Sequence, residues 1–191
     1  MTVQAAEHNG TRRHRFSVED YHRMAEVGIL SPAEQTELIN GDIYVNPSAS
    51  SEAAGHRRFL RQLLNRTVRG KVLISTRSPL QLGAHSLPQP DLTLLKPRDD
   101  YYASAHPTPE DILLVVEVAD ASLSYDRSTK IPLYARHGIP AVWLINLQEN
   151  AVEVYERPDA EGYQIVHSLR GEGTVEHDEL GLRFDVEELF V

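Results

Sequence analysis

The sequence of 191 residues contains no cysteine, which excludes disulfides, zinc–thiolate sites, iron–sulfur clusters and cysteine nucleophiles. Uninterrupted apolar runs reach only five residues, as in 112–116, whereas a membrane-spanning helix needs about 20. The first ten residues lack the basic start and the apolar stretch of a secretory signal. These absences predict a cytoplasmic protein that does not enter membranes. The length predicts a single domain, which we place at 16–191 behind a disordered lead-in at 1–15.

Acidic residues outnumber basic ones and give a net charge of −9, but the charge is unevenly distributed along the chain. Residues 147–191 hold 12 acidic and 3 basic side chains, whereas residues 53–90 hold seven basic side chains and no acidic one. A purely basic stretch within an acidic chain is typical of a protein with an anionic partner. An alternative stays open, in which these basic residues pair with the acidic C-terminal third.

The apolar patterns predict an α/β fold with a central mixed β-sheet flanked by helices. Asn40-Gly41 between two short apolar segments predicts a tight hairpin. Residues 92–95 and 112–118 are predicted strands, and the second is apolar enough to be covered on both faces. A helix predicted over 126–137, followed by a strand over 141–146, completes a βαβ crossover.

Two more helices are predicted, over 18–27 and 53–69, and the second has an apolar face and a basic face. Pro132 is tolerated only near the first turn of a helix, so the helix that contains it is predicted to begin at 126–128. Short strands are predicted at 72–76, 80–82, 152–155 and 163–166, and a terminal helix at 185–190. The basic face, with the lysine just beyond the helix, consists of Arg58, Arg61, Arg66, Arg69 and Lys71.

Glu117 interrupts an otherwise apolar strand, where a lone ionised carboxylate is costly unless it is paired or bound to a metal. Asp91 stands at the start of the strand 92–95, so both acids project at the same end of the sheet if the strands are neighbours. Mg²⁺ suits such a pair, because it is held by one or two carboxylates together with phosphate oxygens. In the structural alternative, Asp91 caps a loop and Glu117 pairs with a buried arginine.

Lys130 lies in the first turn of the helix after Glu117's strand, so it is predicted near the same end of the sheet. Asp126, four residues earlier, is placed to hold the lysine. An ammonium group there can orient a water molecule and stabilise charge on a phosphoryl group, although an exposed ion pair of little energetic weight is the alternative. His56 falls on an apolar helix face, which favours a hydrogen-bonded core residue over a catalytic base.

Several short motifs follow one another in a specific order: Pro90-Asp91, Glu117-Val118, Tyr125-Asp126 with Lys130 and Tyr134-Ala135, Gly138-Ile139 and Val142-Trp143. With Glu37-Leu38-Ile39-Asn40-Gly41 and His56, this order resembles the Uma-type restriction endonucleases, which belong to the PD-(D/E)XK nuclease superfamily. The resemblance covers about residues 15–157. It implies a restriction-endonuclease-like fold that binds a divalent metal and hydrolyses phosphodiester bonds.

The resemblance also implies roles for individual residues. Asp91 and Glu117 would be the metal-ligand acids, with Mg²⁺ or Mn²⁺ as cofactor, and Glu37 would match an N-terminal acid that can assist the metal. The superfamily lysine normally stands two residues after the second acid, where this chain has Ala119. Lys130 matches a lysine that takes over this role from the following helix. Asp120-Ala121 is a second departure, because the family usually has Ser-Pro there.

The predicted function is a divalent-metal-dependent endonuclease that acts on nucleic acid, with DNA as the expected substrate. Its basic helix face and Lys71 would neutralise phosphates, and binding would then weaken steeply with salt. A homodimer is expected if both strands are cut. The alternative is a catalytically lapsed module of the same fold that binds nucleic acid or a protein partner. A two-carboxylate glycoside hydrolase fits least, because the sequence lacks the aromatic density of a sugar site.

Overall fold

The computed structural model describes residues 13–191, so most of the predicted lead-in lies outside the described residues. The helices are α1 (Val18–Glu26), α2 (Ser51–Val68), α3 (Leu123–Tyr125) and α4 (Ile131–Arg136), and a π-helical turn (Asp126–Lys130) joins α3 to α4. The strands are β1 (Gln35–Ile39), β2 (Asp42–Asn46), β3 (Leu73–Thr76), β4 (Leu92–Leu95), β5 (Ile112–Ala119), β6 (Ala141–Asn146), β7 (Ala151–Pro158), β8 (Tyr163–Arg170), β9 (Thr174–His177) and β10 (Leu182–Asp185). Within residues 13–191, none of the helices combines the length and the apolar character that a bilayer crossing requires.

Six strands form the central sheet in the order β3-β4-β5-β6-β7-β8. The pair β5–β6 is parallel and the other four pairs are antiparallel, so the sheet is mixed, as predicted. The helical segment 123–136 connects the two parallel strands. The predicted hairpin at Asn40-Gly41 is confirmed as β1–β2, which forms a separate two-stranded sheet.

The two faces of the sheet are covered by different helices. On one face, Val116 and Val118 belong to the apolar cluster that α2 completes with residues such as Leu60. On the other face, Val115 and Ala119 belong to the cluster that includes α4. The strand β5 is therefore covered on both sides, as its continuous apolar character predicts. Glu117 lies between these positions and shares the α4 face.

The helix that contains Pro132 begins earlier than predicted, at Leu123 instead of 126–128. The prediction was wrong because it assumed α-helical hydrogen bonds, in which a proline ring clashes with the carbonyl group four residues back. In the structure the N–H of Ile131 donates to the oxygen of Asp126, five residues back. This wider turn opens the helix just before Pro132, so the helix can continue through it.

Two other predictions need correction, and one hairpin was not predicted. Residues 80–82 are not a strand, although Leu80 and Leu82 are buried, because this part of a loop packs its apolar side chains into the core. The terminal helix predicted at 185–190 is a short 3₁₀ turn, Val186–Leu189. The hairpin β9–β10 was not predicted, yet β10 alternates buried and exposed residues in the way that indicates a strand.

Candidate active site

A cleft of about 270 Å³ lies at the carboxyl end of β5, between the hairpin β1–β2, the N-terminal part of α2 and the π-helical turn. The charged side chains that line it are the acids Glu37, Asp91, Glu117, Asp120 and Asp126 and the cations Arg57, Arg77 and Lys130. The cleft therefore has a formal excess of two negative charges. One divalent cation would balance this excess.

Glu117 and Lys130 form a buried ion pair on the floor of the cleft. The Lys130 ammonium nitrogen lies 2.6 Å from Glu117 Oε1 and 3.5 Å from Glu37 Oε1. Its side chain is only 6% exposed, and that of Glu117 only 2%. The Tyr134 hydroxyl donates to the same Glu117 oxygen at 2.6 Å. The helical segment thus brings an ammonium group to Glu117, although Ala119 occupies the usual lysine position.

Asp91 lies directly before β4, beside Glu117, because Leu92 pairs with Val116 in the sheet. The Asp91 N–H donates to Glu117 Oε2 at 3.3 Å, and the Val118 N–H donates to Asp91 Oδ2 at 2.9 Å. The neighbouring strands therefore fix both carboxylates at one end of the sheet. The remaining Asp91 oxygen accepts a hydrogen bond of 3.0 Å from Arg57 on α2.

Glu37 enters the cleft from β1 and is held by two amide donors. Its Oε1 accepts from the Gln89 N–H at 2.5 Å, and its Oε2 accepts from the Asn46 side-chain amide at 2.6 Å. Both bonds satisfy oxygens of a side chain that is buried. Glu37 therefore faces Lys130 in a fixed position, and the hairpin completes one wall of the cleft.

Asp126 lies in the π-helical turn and lines the cleft, but it does not hold Lys130 in the predicted way. Its Oδ2 accepts a hydrogen bond of 2.7 Å from the Ser122 hydroxyl. No ion pair within 4.0 Å joins it to Lys130, whose ammonium group contacts Glu117 and Glu37 instead. The negative charge of Asp126 still helps to raise the pKa of Lys130.

The ionisation of the cluster follows from burial and from neighbouring charges. Burial raises the pKa of Glu117 above its usual value, and Lys130 opposes this shift. Burial also raises the pKa of Asp126, again opposed by Lys130. Burial works against the charge of Lys130, but Glu117, Tyr134 and Glu37 outweigh it and raise its pKa. An added cation would relieve the repulsion among the carboxylates.

The donor chemistry of the cleft fits a hard divalent cation. Among residues 13–191, no three His, Asp or Glu side chains are grouped so that they hold a metal ion by themselves. Magnesium in phosphate-handling sites is commonly bound by only one or two carboxylates, and water and substrate oxygens complete its shell. A Mg²⁺ ion in the cleft would find such a pair of carboxylates in Asp91 and Glu117.

The predicted basic residues lie on a different surface from the acids. All five are exposed, and within residues 13–191 none has a carboxylate within 4.0 Å, so pairing with the acidic C-terminal third is not seen. These residues are Arg58, Arg61, Arg66, Arg69 and Lys71. Arg57, the arginine next to them, turns into the cleft instead.

The structure does not bring His56 into the cleft. Its ring lies in the core beneath α2, and Nε2 is 2.7 Å from the backbone oxygen of Leu189. Burial lowers its pKa, which favours the neutral ring. The supporting role suggested by the motif order therefore does not include contact with the acids, and the core interpretation fits the observed position.

Sequence reasoning missed the two side chains that join Lys130 in contacting Asp91 and Glu117, namely Arg57 and Tyr134. Tyr134 stands four residues after Lys130, a spacing that places both on one side of a helix, so this signal was available. Arg57 carried no such signal. Its partner, Asp91, is 34 residues away, and their contact depends on how α2 packs against the sheet.

Comparisons with known proteins give a family and a shared fold for this chain. No curated protein matches the chain. A similar solved structure is titled "Crystal structure of a putative nuclease belonging to DUF820 from Anabaena variabilis ATCC 29413"; the TM-score is 0.70 at 16% identity, over 92% of this chain and 97% of that one. At this identity the likeness shows a shared fold. The family model "Uma2: Putative restriction endonuclease" matches residues 18–187, so the chain belongs to this nuclease-type family.

Proposed function

We propose that the protein is a Mg²⁺-dependent endonuclease, also active with Mn²⁺, that hydrolyses phosphodiester bonds in DNA. The observation that carries the proposal is the distance of 2.6 Å between the Lys130 ammonium and the Glu117 carboxylate, beside Asp91 in an open cleft. Two oxygen ligands and a neighbouring ammonium group are the elements that this reaction requires.

The side chains of the cleft have different roles in the proposed reaction. Asp91 and Glu117 would hold the cation with their carboxylate oxygens. When bound, Mg²⁺ would supply Lewis-acid stabilisation of the negative charge that develops on the phosphate. Lys130 stays protonated, and it orients the attacking water and stabilises the same developing charge. Glu37 keeps the ammonium group of Lys130 in place from the opposite side.

A nucleic-acid substrate, for which we propose DNA, is supported by the exposed basic face of α2. The N-terminal end of the same helix contributes Ala53 and Arg57 to the lining of the cleft, together with the N-cap residue Ser50. A polyanion that follows the helix from the cleft would therefore pass its basic residues. Each phosphate that they neutralise releases counterions, which favours binding at low salt.

An alternative function is a nuclease-fold module that binds nucleic acid without cutting it. The ion pair between Arg57 and Asp91 favours this alternative, because both side chains are largely buried and the guanidinium occupies one Asp91 oxygen. A cation must compete with Arg57 for that oxygen. If it cannot, the protein binds DNA in a salt-sensitive manner and leaves it intact.

A plasmid-nicking assay in Mg²⁺ and in Mn²⁺ separates the two functions. We expect nicking by the wild type and by Glu153→Gln, a control that alters another buried glutamate of the central sheet. We expect none by Asp91→Asn or Glu117→Gln. Nicking that survives in both of these variants would defeat the proposal, and binding without nicking by the wild type would support the alternative.

A further inference from the structure

Arg77 is a cation in the cleft that lacks an acidic partner. Lys130 pairs with Glu117 and Arg57 pairs with Asp91, but the Arg77 guanidinium donates to the neutral side-chain oxygen of Gln35. In the described part of the chain, no carboxylate lies within 4.0 Å of it. One positive charge of the cleft is therefore left without a neutralising contact.

The backbone of Arg77 is fixed against Asp91. Its N–H is shared between the carbonyl oxygens of Pro90 and Asp91, at 3.1 and 3.2 Å. Its φ angle is +49°, a left-handed conformation that costs energy in a residue other than glycine. Such conformations persist where the surroundings enforce them, and they concentrate at ligand sites. The position of Arg77 is thus set by the segment directly before β4, which contains the proposed metal ligand Asp91.

We infer that Arg77 binds a phosphate oxygen of the nucleic-acid strand in the cleft and positions that strand against Asp91 and Glu117. The inference rests on the proposed function and adds a substrate-binding residue to it. A guanidinium group has five N–H donors in a planar fork that matches phosphate oxygens. Gln35 accepts from this fork and orients it without removing its charge.

A purely structural role for Arg77 would be to link β1 to the end of β3 through Gln35. Two variants distinguish this role from phosphate binding. Arg77→Gln removes both the charge and the fork. Gln35→Glu keeps Arg77 but adds a carboxylate that neutralises it, and this change would strengthen a structural link. Phosphate binding predicts that both variants bind DNA more weakly.

The experiment measures the affinity of the full chain for a fluorescein-labelled DNA duplex by anisotropy, with Ca²⁺ replacing Mg²⁺, over a series of KCl concentrations. Arg77→Gln is expected to weaken binding about 10-fold, as for one lost charge-assisted hydrogen bond. It should also reduce the slope of log K against log [KCl] by about 0.9, the value for one phosphate contact. Gln35→Glu should shift both quantities in the same direction.

The matched control is Arg183→Gln, which alters an exposed arginine of β10 that pairs with Glu176. It should leave the affinity and the slope unchanged. Wild-type affinity and slope in Gln35→Glu, or an unchanged slope in a folded Arg77→Gln, would overturn the inference. If Arg77→Gln does not fold, the affinity and slope of Gln35→Glu alone test the inference.

The outcome for the proposed function is separate. If the wild type does not cut DNA in Mg²⁺ or Mn²⁺ but the slopes still differ between it and Arg77→Gln, the hydrolase proposal fails and phosphate binding by Arg77 stands. If the wild type cuts DNA but the slopes agree, only the inference about Arg77 fails. A wild type that binds no duplex at any salt concentration overturns the inference as well.

Discussion

Two buried glutamates lie in one row of the central sheet. Glu117 of β5 pairs with Leu144 of β6, and Leu144 pairs with Glu153 of β7. Both side chains therefore project from the same face, about 10 Å apart. They are 2% and 6% exposed. Each is bonded to a cation from the same helical segment, Lys130 or Arg127, and to a tyrosine hydroxyl.

The two glutamates differ in the balance of charge around them. The Arg127 Nε lies 3.0 and 3.1 Å from the two oxygens of Glu153, so one arginine neutralises one carboxylate. Lys130 is shared between Glu117 and Glu37, with more acids close by in the cleft. Burial of a carboxylate alone therefore does not indicate a functional site. What distinguishes Glu117 from Glu153 is the excess of acidic side chains in the open cleft beside it.

The largest difference between the two glutamates is expected in nuclease activity. Glu117→Gln should reduce the rate of DNA cleavage about 1,000-fold, because the loss of a metal ligand removes several kcal/mol of transition-state stabilisation. Glu153→Gln should leave the rate within about 3-fold of the wild type, since it touches neither the cleft acids nor Lys130. Initial rates of plasmid nicking measure both. If both variants lose the same amount of nuclease activity, the balance of charge around a buried glutamate does not determine whether it takes part in the reaction.

The cations should differ in their contribution to stability. Lys130→Met leaves buried carboxylates without their cation and should lower the free energy of unfolding by about 3 kcal/mol. Arg127→Met should lower it by about 1 kcal/mol, because Arg127 is 44% exposed and water screens its pair. Urea unfolding without divalent metal measures both values. If Arg127→Met lowers the free energy of unfolding more than Lys130→Met does, the ion pair of Glu153 contributes more to stability than that of Glu117, contrary to this prediction.

Divalent metal should stabilise only the cluster with excess acid. At a Mg²⁺ concentration ten times its Kd, the wild type should gain about 1.4 kcal/mol in its free energy of unfolding, seen as a higher Tm. Glu153→Gln should show the same gain. Asp91→Asn should show none, since it lacks one of the two ligand carboxylates. A Tm that rises equally in all three proteins would place the cation elsewhere.

The smallest expected effect is on the pH dependence of stability. Burial raises the pKa of Asp126 in the folded state, so the unfolded chain releases its proton first as pH rises. This carboxyl group therefore stabilises the fold fully at pH below its unfolded pKa, and the contribution is lost as pH rises through the folded pKa. Asp126→Asn removes this loss, so its stability relative to the wild type should increase from pH 4 to pH 7. Unfolding curves measured across this pH range give the stability of both proteins. A constant difference in free energy of unfolding at all pH values would contradict the raised pKa of Asp126.

The sequence was informative where a single residue broke a local rule. Glu117 stood out because it carries a charge in an apolar strand, and Lys130 because its position in the next helix leads back to the same end of the sheet. The family was predicted correctly from the order of several motifs, and the mixed sheet from the apolar patterns. The metal, the DNA substrate and the roles of the individual acids stay predictions.

The rest depended on packing that no local pattern contains. The pairing of Arg57 with Asp91, and of the Asn46 amide with Glu37, follows from how α2 and the hairpin meet the sheet. The early helix start was hidden because the rule for Pro132 holds for α-helices and the chain uses a π-helical turn. The apolar residues Leu80 and Leu82 alternate with polar ones as they would in a strand, but here they are the two side chains that a loop buries in the core.

The proposed centre draws its charged groups from four separate stretches of the chain: Glu37 from the hairpin, Asp91 from the start of β4, Glu117 from β5 and Lys130 from the helical segment. During synthesis on a ribosome, the lysine is the last of these to emerge, and it reaches Glu117 only after the helix has packed on the sheet. A nascent or proteolytically shortened chain that ends before residue 130 lacks this cation altogether. A complete centre therefore requires a chain that extends at least through residue 130.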